Sequence, residues 1–88
     1  MNLTSNTIIK ADGTIAPFEE PAADAQLDAY QKAVGGYIEP VEIPGHDELI
    51  ALVNEEGLLK QMPVNATASG LLHTYITGDC LIIPKETL

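Results

Sequence analysis

The sequence has no tryptophan, no arginine, one phenylalanine and one cysteine, and each scarcity removes a class of explanation. With one Phe and three Tyr, the core of an 88-residue chain has to be built from Ile, Leu, Val and Ala. Such a small aliphatic core leaves a modest stability margin that gains from self-association. The missing guanidinium removes the planar fork that usually clamps phosphates, so a phosphate-bearing ligand would rely on backbone N–H groups, hydroxyls and lysines. A single cysteine, Cys80, excludes an intrachain disulfide. No apolar run reaches membrane-spanning length, and no basic segment followed by an apolar one opens the chain, so a cytoplasmic protein without membrane contact is expected. The triplets Asn2-Leu3-Thr4 and Asn65-Ala66-Thr67 are accordingly read as chance matches to the glycosylation pattern.

Positive charge is scarce as well. Four lysines (Lys10, Lys32, Lys60, Lys85) stand against thirteen acids, giving a formal net charge of −9. Such a surface repels nucleic acid, so no direct nucleic-acid partner is expected; an acidic protein can instead imitate DNA and occupy a basic cleft on another protein.

What is present reads as one domain over residues 1–88, with residues 1–6 polar enough to fray. Residues 7–18 predict a β-hairpin in which Asp12-Gly13 supplies a two-residue type I′ turn, and Pro17 marks an edge or an end. Residues 21–34 predict a helix: Pro21 suits the first helical position, Glu19, Glu20 and Asp24 favour its N-terminus, and Gly35-Gly36 caps its end. Its apolar stripe would be Ala23, Leu27, Tyr30 and Val34, with Asp28, Gln31 and Lys32 outward. Residues 37–83 then read as strands and turns. Residues 37–43 form a strand that Pro40 pushes to an edge, and residues 48–53 are a nearly continuous apolar run suited to the central strand. Residues 58–60 read as a short paired return, and Asn65 caps one helical turn closed by Gly70. Residues 71–76 read as extended, and residues 80–83 as a last strand stopped by Pro84. The fold class is α+β: a small, mainly antiparallel curled sheet of five or six short strands with one main α-helix packed on it.

The polar elbow Val53 to Ala66, VNEEGLLKQMPVNA, breaks this pattern. Turn chemistry explains much of it, since Asn and Gly tolerate left-handed backbone and Glu55 and Glu56 suit a solvated tip. As a ligand site, the candidate residues are Tyr37, Asn54, Gly57, Lys60, Met62 and Asn65. The amides can read a base edge or ribose, and glycine N–H groups can take a phosphate. Catalytic chemistry finds less support. Adjacent Glu55 and Glu56 face opposite sides on a strand and water on a turn, and His73 and Cys80 have no third orienting group. His46, Asp47, His73 and Cys80 lack metal-ligand spacing, and no cofactor is implied. Cys80, at the start of an apolar strand, reads as a buried small hydrophobe.

Three segments in order, AVGGYIEPVEIPG, LIALVNEEGLLKQMPVNATAS and ITGDCLIIP, resemble an uncharacterised family of phage and plasmid proteins, domain of unknown function 3846, over residues 27–83. The resemblance implies a mobile-element origin and a host bacterial cytoplasm, with the N-terminal hairpin as this chain's own variation. It supplies no activity. The expected function is non-catalytic, stoichiometric binding: a sponge that sequesters a small nucleotide-derived host signal at a homo-oligomer interface as a counter-defence. The alternative is an acidic decoy or DNA mimic, its Glu19, Glu20, Asp24, Asp28, Glu55 and Glu56 docking on a basic host protein. A hydrolase is the least supported class.

Overall fold

A computed structural model describes residues 3–88. Five strands, β1 (Thr7–Ile9), β2 (Ile15–Pro17), β3 (Ile38–Glu42), β4 (Leu49–Asn54) and β5 (Cys80–Pro84), make one open, curled sheet in the order β2-β1-β5-β4-β3. Every neighbouring pair is antiparallel. Helix α1 (Gln26–Val34), entered through a 3-10 turn at Ala23–Ala25, packs on one face. The short helix α2 (Ala66–Leu72) covers the other. The expected α+β class is what forms, with a second small helix added.

Side-chain alternation assigns the two cores. Ile9, Leu49, Ala51, Val53, Cys80 and Ile82 point to the α2 face and meet Ala68, Leu72 and Ile76. Ile50, Leu52, Leu81 and Ile83 point the other way and meet Tyr30 and Val34 of α1. Coverage on both faces is why β4 is buried along its whole length and reads as a continuous apolar run. It is an inner strand, but the centre of the sheet is β5, flanked by β1 and β4. Both proline-bearing strands, β2 and β3, lie at the edges, where a missing N–H is tolerated.

Several local expectations are corrected. The hairpin turn is not type I′, because Asp12 does not take the positive φ that this type requires; among residues 10–14 only Gly13 does, at 95°. The loop is instead the three-residue kind: Gly13 N–H bonds Lys10 O at 2.9 Å, Lys10 N–H bonds Thr14 O at 2.8 Å, and Ile9 pairs with Ile15. Asp12 Oδ1 accepts from Thr14 N–H at 2.8 Å, and that bond holds its carboxyl below the usual range. Helix α1 starts at Gln26 rather than at residue 21, because Ala25 breaks from helical geometry at φ −110° and ψ 5°. The shortened helix buries only its later turns, so Leu27 is exposed and Ala33 joins Tyr30 and Val34 against the sheet.

Residues 58–60 are not a strand. Lys60 N–H bonds Glu56 O at 2.9 Å and Met62 N–H bonds Gly57 O at 3.0 Å, a helix-like turn ended by Gln61 at φ 56°. Leu58 and Leu59 are left exposed on it. Residues 71–76 are not extended throughout. α2 runs through Gly70 to Leu72, and His73, not Gly70, takes the left-handed cap at φ 56° and ψ 35°. Ser69 Oγ then accepts from Ile76 N–H at 2.8 Å and folds the following loop back. At the other end, the fraying expected for residues 1–6 lies in part outside the described residues, while Leu3 packs against the α2-face core. Among the described residues no helix is long and apolar enough to cross a membrane.

These placements separate two leucines that composition cannot. Leu52→Ala empties a site that is 0 % exposed and should lower unfolding stability by about 3 kcal/mol. Leu59→Ala, at 82 % exposure, should change it by less than about 0.5 kcal/mol. Urea denaturation of both variants checks the contrast, and a comparable loss at Leu59 would restore the expected strand at residues 58–60.

Candidate ligand-binding site

The polar elbow begins where β4 ends. Asn54 is buried at that point and ties two segments together: Nδ2 donates to Val34 O at 3.1 Å, and Oδ1 accepts from Glu56 N–H at 2.7 Å. The first bond satisfies a carbonyl at the C-terminus of α1, which has no partner inside the helix. Gly57 follows, packed so closely that an added Cβ would stand 2.5 Å from Thr77 Oγ1 and 3.2 Å from Thr77 O. Gly57 is therefore required by close approach, with no free cradle above it.

Asn65 is fully buried and its amide is saturated. Nδ2 donates to Ile9 O at 2.8 Å and Gly78 O at 3.0 Å, while Oδ1 accepts from Ala68 N–H at 3.0 Å and caps α2. The expected N-cap is present. The same burial withdraws the Asn65 side chain of the Asn65-Ala66-Thr67 triplet from solvent, although Ala66 is exposed and Thr67 half-buried.

Of the six candidates, Lys60, Met62 and Asn54 converge on the glycine pair that ends α1. A methyl placed on Gly36 would lie 2.9 Å from Asn54 Nδ2 and 3.2 Å from Lys60 Nζ, and one on Gly35 would lie 3.5 Å from Met62 Cε. Gly35, at φ 82°, is the left-handed cap of α1. Tyr37 follows directly and is 66 % exposed. Beside this cluster lies a cleft of about 280 Å3 bordered by Lys32, Gly35, Met62, Gly78 and Asp79. Met62 sits between two glycines, since a Cβ on Gly78 would come 2.9 Å from its Sδ. Gly57 faces a different groove, and Asn65 lines neither. Lys32 and Gly78 were missed as cleft residues, because nothing in the local sequence says that residues 32–36 and 78–79 meet across Met62.

The chain belongs to the family described as domain of unknown function 3846. The family model matches residues 7–87, so it spans every strand and both helices. The hairpin of β1 and β2 is therefore part of the family's domain rather than an addition private to this chain. No curated protein and no solved structure gives a significant match.

The reactive side chains stand apart within this domain. His73 is exposed at the end of α2, whereas Cys80 is 0 % exposed in β5, and burial pushes its thiol up to about 12. Among the described residues no three His, Cys, Asp or Glu side chains gather where they could hold a metal ion.

Two predictions follow from the buried groups. Asn65→Ala removes a cap and leaves two buried carbonyls without their donor, which should cost about 3 kcal/mol in chemical denaturation. Asn65→Asp keeps the acceptor but sets a carboxylate against those carbonyls, so it should lose at least as much at neutral pH. A loss below about 1 kcal/mol in both would show that the amide bonds are dispensable. For Cys80, the raised thiol pKa stabilises the fold fully below the unfolded value of 9.0, and that contribution falls as pH rises toward about 12. The stability difference between wild type and Cys80→Ala should therefore shrink from about pH 8 to about pH 10, and a constant difference would refute a burial-protected thiol.

Proposed function

We propose that this protein works without catalysis, by stoichiometrically binding a small nucleotide-derived molecule, and that the cleft at the Gly35-Gly36 end of α1 is where it does so. The observation that carries this reading is that two of the four lysines of a chain with net charge −9 reach the glycine pair beside the exposed ring of Tyr37: Lys32 borders the cleft with Gly35, and Lys60 Nζ, 3.7 Å from Glu56 Oε1, stands over Gly36. Gly35, unlike Gly36, whose side-chain position is filled by Asn54 and Lys60, lets a ligand approach the backbone closely, Tyr37 offers a face for stacking, and the lysines supply charge for a phosphate.

Asn65 has no donor left for a ligand, and Asn54 keeps one N–H beyond the bond to Val34 O. Recognition would then fall to Tyr37, Lys60, Lys32 and the backbone. At about 280 Å3 the cleft is slightly below the range usual for small-molecule sites, so a second copy of the chain would complete the enclosure. Sequestration of a host signal in the bacterial cytoplasm, in the service of a phage or plasmid, is the biological role that suits a binder with no evident reaction.

A thermal-shift screen with mononucleotides and cyclic nucleotides, run beside a size measurement, tests the reading. A true ligand at about 100-fold its dissociation constant should raise the melting temperature by on the order of 10 °C. The shift should be lost in Lys60→Ala and Tyr37→Ala variants that melt normally without ligand. A monomer whose melting temperature responds to no nucleotide would overturn it.

A further inference from the structure

The opposite end of the elbow has a different character. β3 is an open edge of the sheet, and the bond from Glu55 N–H to Tyr37 O, 2.9 Å, sets the alternation along the β3–β4 ladder. Residues 37, 39 and 41 turn their backbone groups to β4, and Ile38, Pro40 and Glu42 turn theirs outward. The free edge thus offers the carbonyls of Ile38, Pro40 and Glu42 and the N–H groups of Ile38 and Glu42. Beside it, on the α2 face, runs a groove of about 480 Å3. Val53 is buried in it, while Leu58 and Tyr75 are 71 % and 63 % exposed along its margin.

Charge selects what can lie there. Glu39, Glu42 and Glu55 line the groove and no lysine does. Glu42 is paired with Lys85 Nζ at 2.8 Å, whereas Glu39 and Glu55 have no ion-pair partner among the described residues. A second copy of this chain adding through its own β3 would set these carboxylates against one another and bring two Pro40 residues, neither with an N–H, to the contact. A nucleotide meets the same like-charge repulsion. An extended basic segment meets neither obstacle.

We propose that the β3 edge and its groove dock an extended, lysine- or arginine-bearing segment of a partner protein. The segment adds to the sheet, sets its cations against Glu39 and Glu55, and lays apolar side chains against Leu58 and Tyr75. Pro40 withholds one donor from the incoming strand, which weakens indiscriminate strand addition and leaves charge and side-chain fit to select the partner. The acidic surface expected to meet a basic protein is thereby relocated. Of the carboxylates first considered for it, only Glu55 lines this groove, where it joins Glu39 and Glu42. None of these residues borders the cleft at the end of α1, so the two sites can fail separately.

The test uses the whole protein and a labelled twelve-residue peptide repeating Lys-Thr-Val-Thr, which puts lysine and valine on the same face of an added strand, with a second peptide of equal charge in which prolines replace the valines. Fluorescence anisotropy at low salt should show the first binding at least about tenfold more tightly than the second. Glu39→Gln combined with Glu55→Gln should weaken it by about tenfold, while Glu19→Gln combined with Glu20→Gln, outside the groove, should change it less than about twofold. Amide shifts in NMR should centre on Ile38, Glu42 and Tyr75. Equal binding of both peptides, equal effects of both double variants, or shifts centred elsewhere would each overturn the proposal. So would a dimer in solution that Tyr75→Glu dissociates, since a second copy would then occupy the groove.

Discussion

A single buried amide fixes the geometry on which one whole face of the sheet depends. α2 has seven residues, well below the length at which a helix sustains itself in water, so it persists only where something fastens it. Asn65 does this by capping α2 while donating to β1 at Ile9 O and to the loop before β5 at Gly78 O. The neighbouring backbone reinforces the join: Asn65 N–H bonds Ile76 O at 2.9 Å and Gly78 N–H bonds Pro63 O at 2.8 Å. Ala68, Leu72 and Ile76 are thereby pressed onto Ala51, Val53, Cys80 and Ile82, and the core on that face closes. An apolar residue of the same size at position 65 could fill the space but would leave the carbonyls unbonded in a dry interior, where their desolvation is uncompensated.

Asn54 plays the matching part on the opposite face by joining the end of α1 to the start of the elbow. Together the two asparagines bracket residues 55–64, which contain little that is buried, and hold that stretch from both ends. No buried side-chain nitrogen or oxygen among the described residues lacks a partner. The polar character of the elbow is therefore largely structural, and contact with another molecule falls to what projects from it, chiefly Glu55, Leu58 and Lys60, the last of them 3.7 Å from Glu56 Oε1.

The sequence made the strands legible wherever burial was periodic or continuous. β4 and β5 are apolar along nearly all of their length because both faces are covered, and Pro17 and Pro40 announced the edges because a missing N–H is tolerated only there. Legibility failed where tertiary contact decided. Leu58-Leu59-Lys60 has strand-like composition, yet Gly57 is pressed against Thr77, and the chain winds into a turn that leaves both leucines in water. Leu71 and Leu72 belong to α2 because the left-handed cap falls on His73, a residue less permissive of it than glycine, instead of on Gly70. In the candidate site, Asn54 and Asn65 stood out because buried amides and exposed ones look alike in one dimension. Lys32 and Gly78 did not, because their meeting across Met62 depends on packing between distant segments.

The net charge of −9 is distributed so that screening acts in opposite directions at the two ends of the elbow. Lys32 borders the cleft and Lys60 stands beside it, with Asp79 on the same border and Glu56 Oε1 3.7 Å from Lys60, whereas most of the thirteen carboxylates are spread over the remaining surface. Lowering the salt extends the unfavourable field of the whole molecule over the cleft faster than it strengthens the two nearby lysines. In the β3 groove Glu42 is neutralised by Lys85, but the unpaired Glu39 and Glu55 have the sign of the net charge, so lowering the salt strengthens attraction for a cation from both. Under the two proposals, one acidic shell would repel anions at long range, admit one at short range where two lysines meet the end of α1, and steer a basic segment toward the open edge of the sheet.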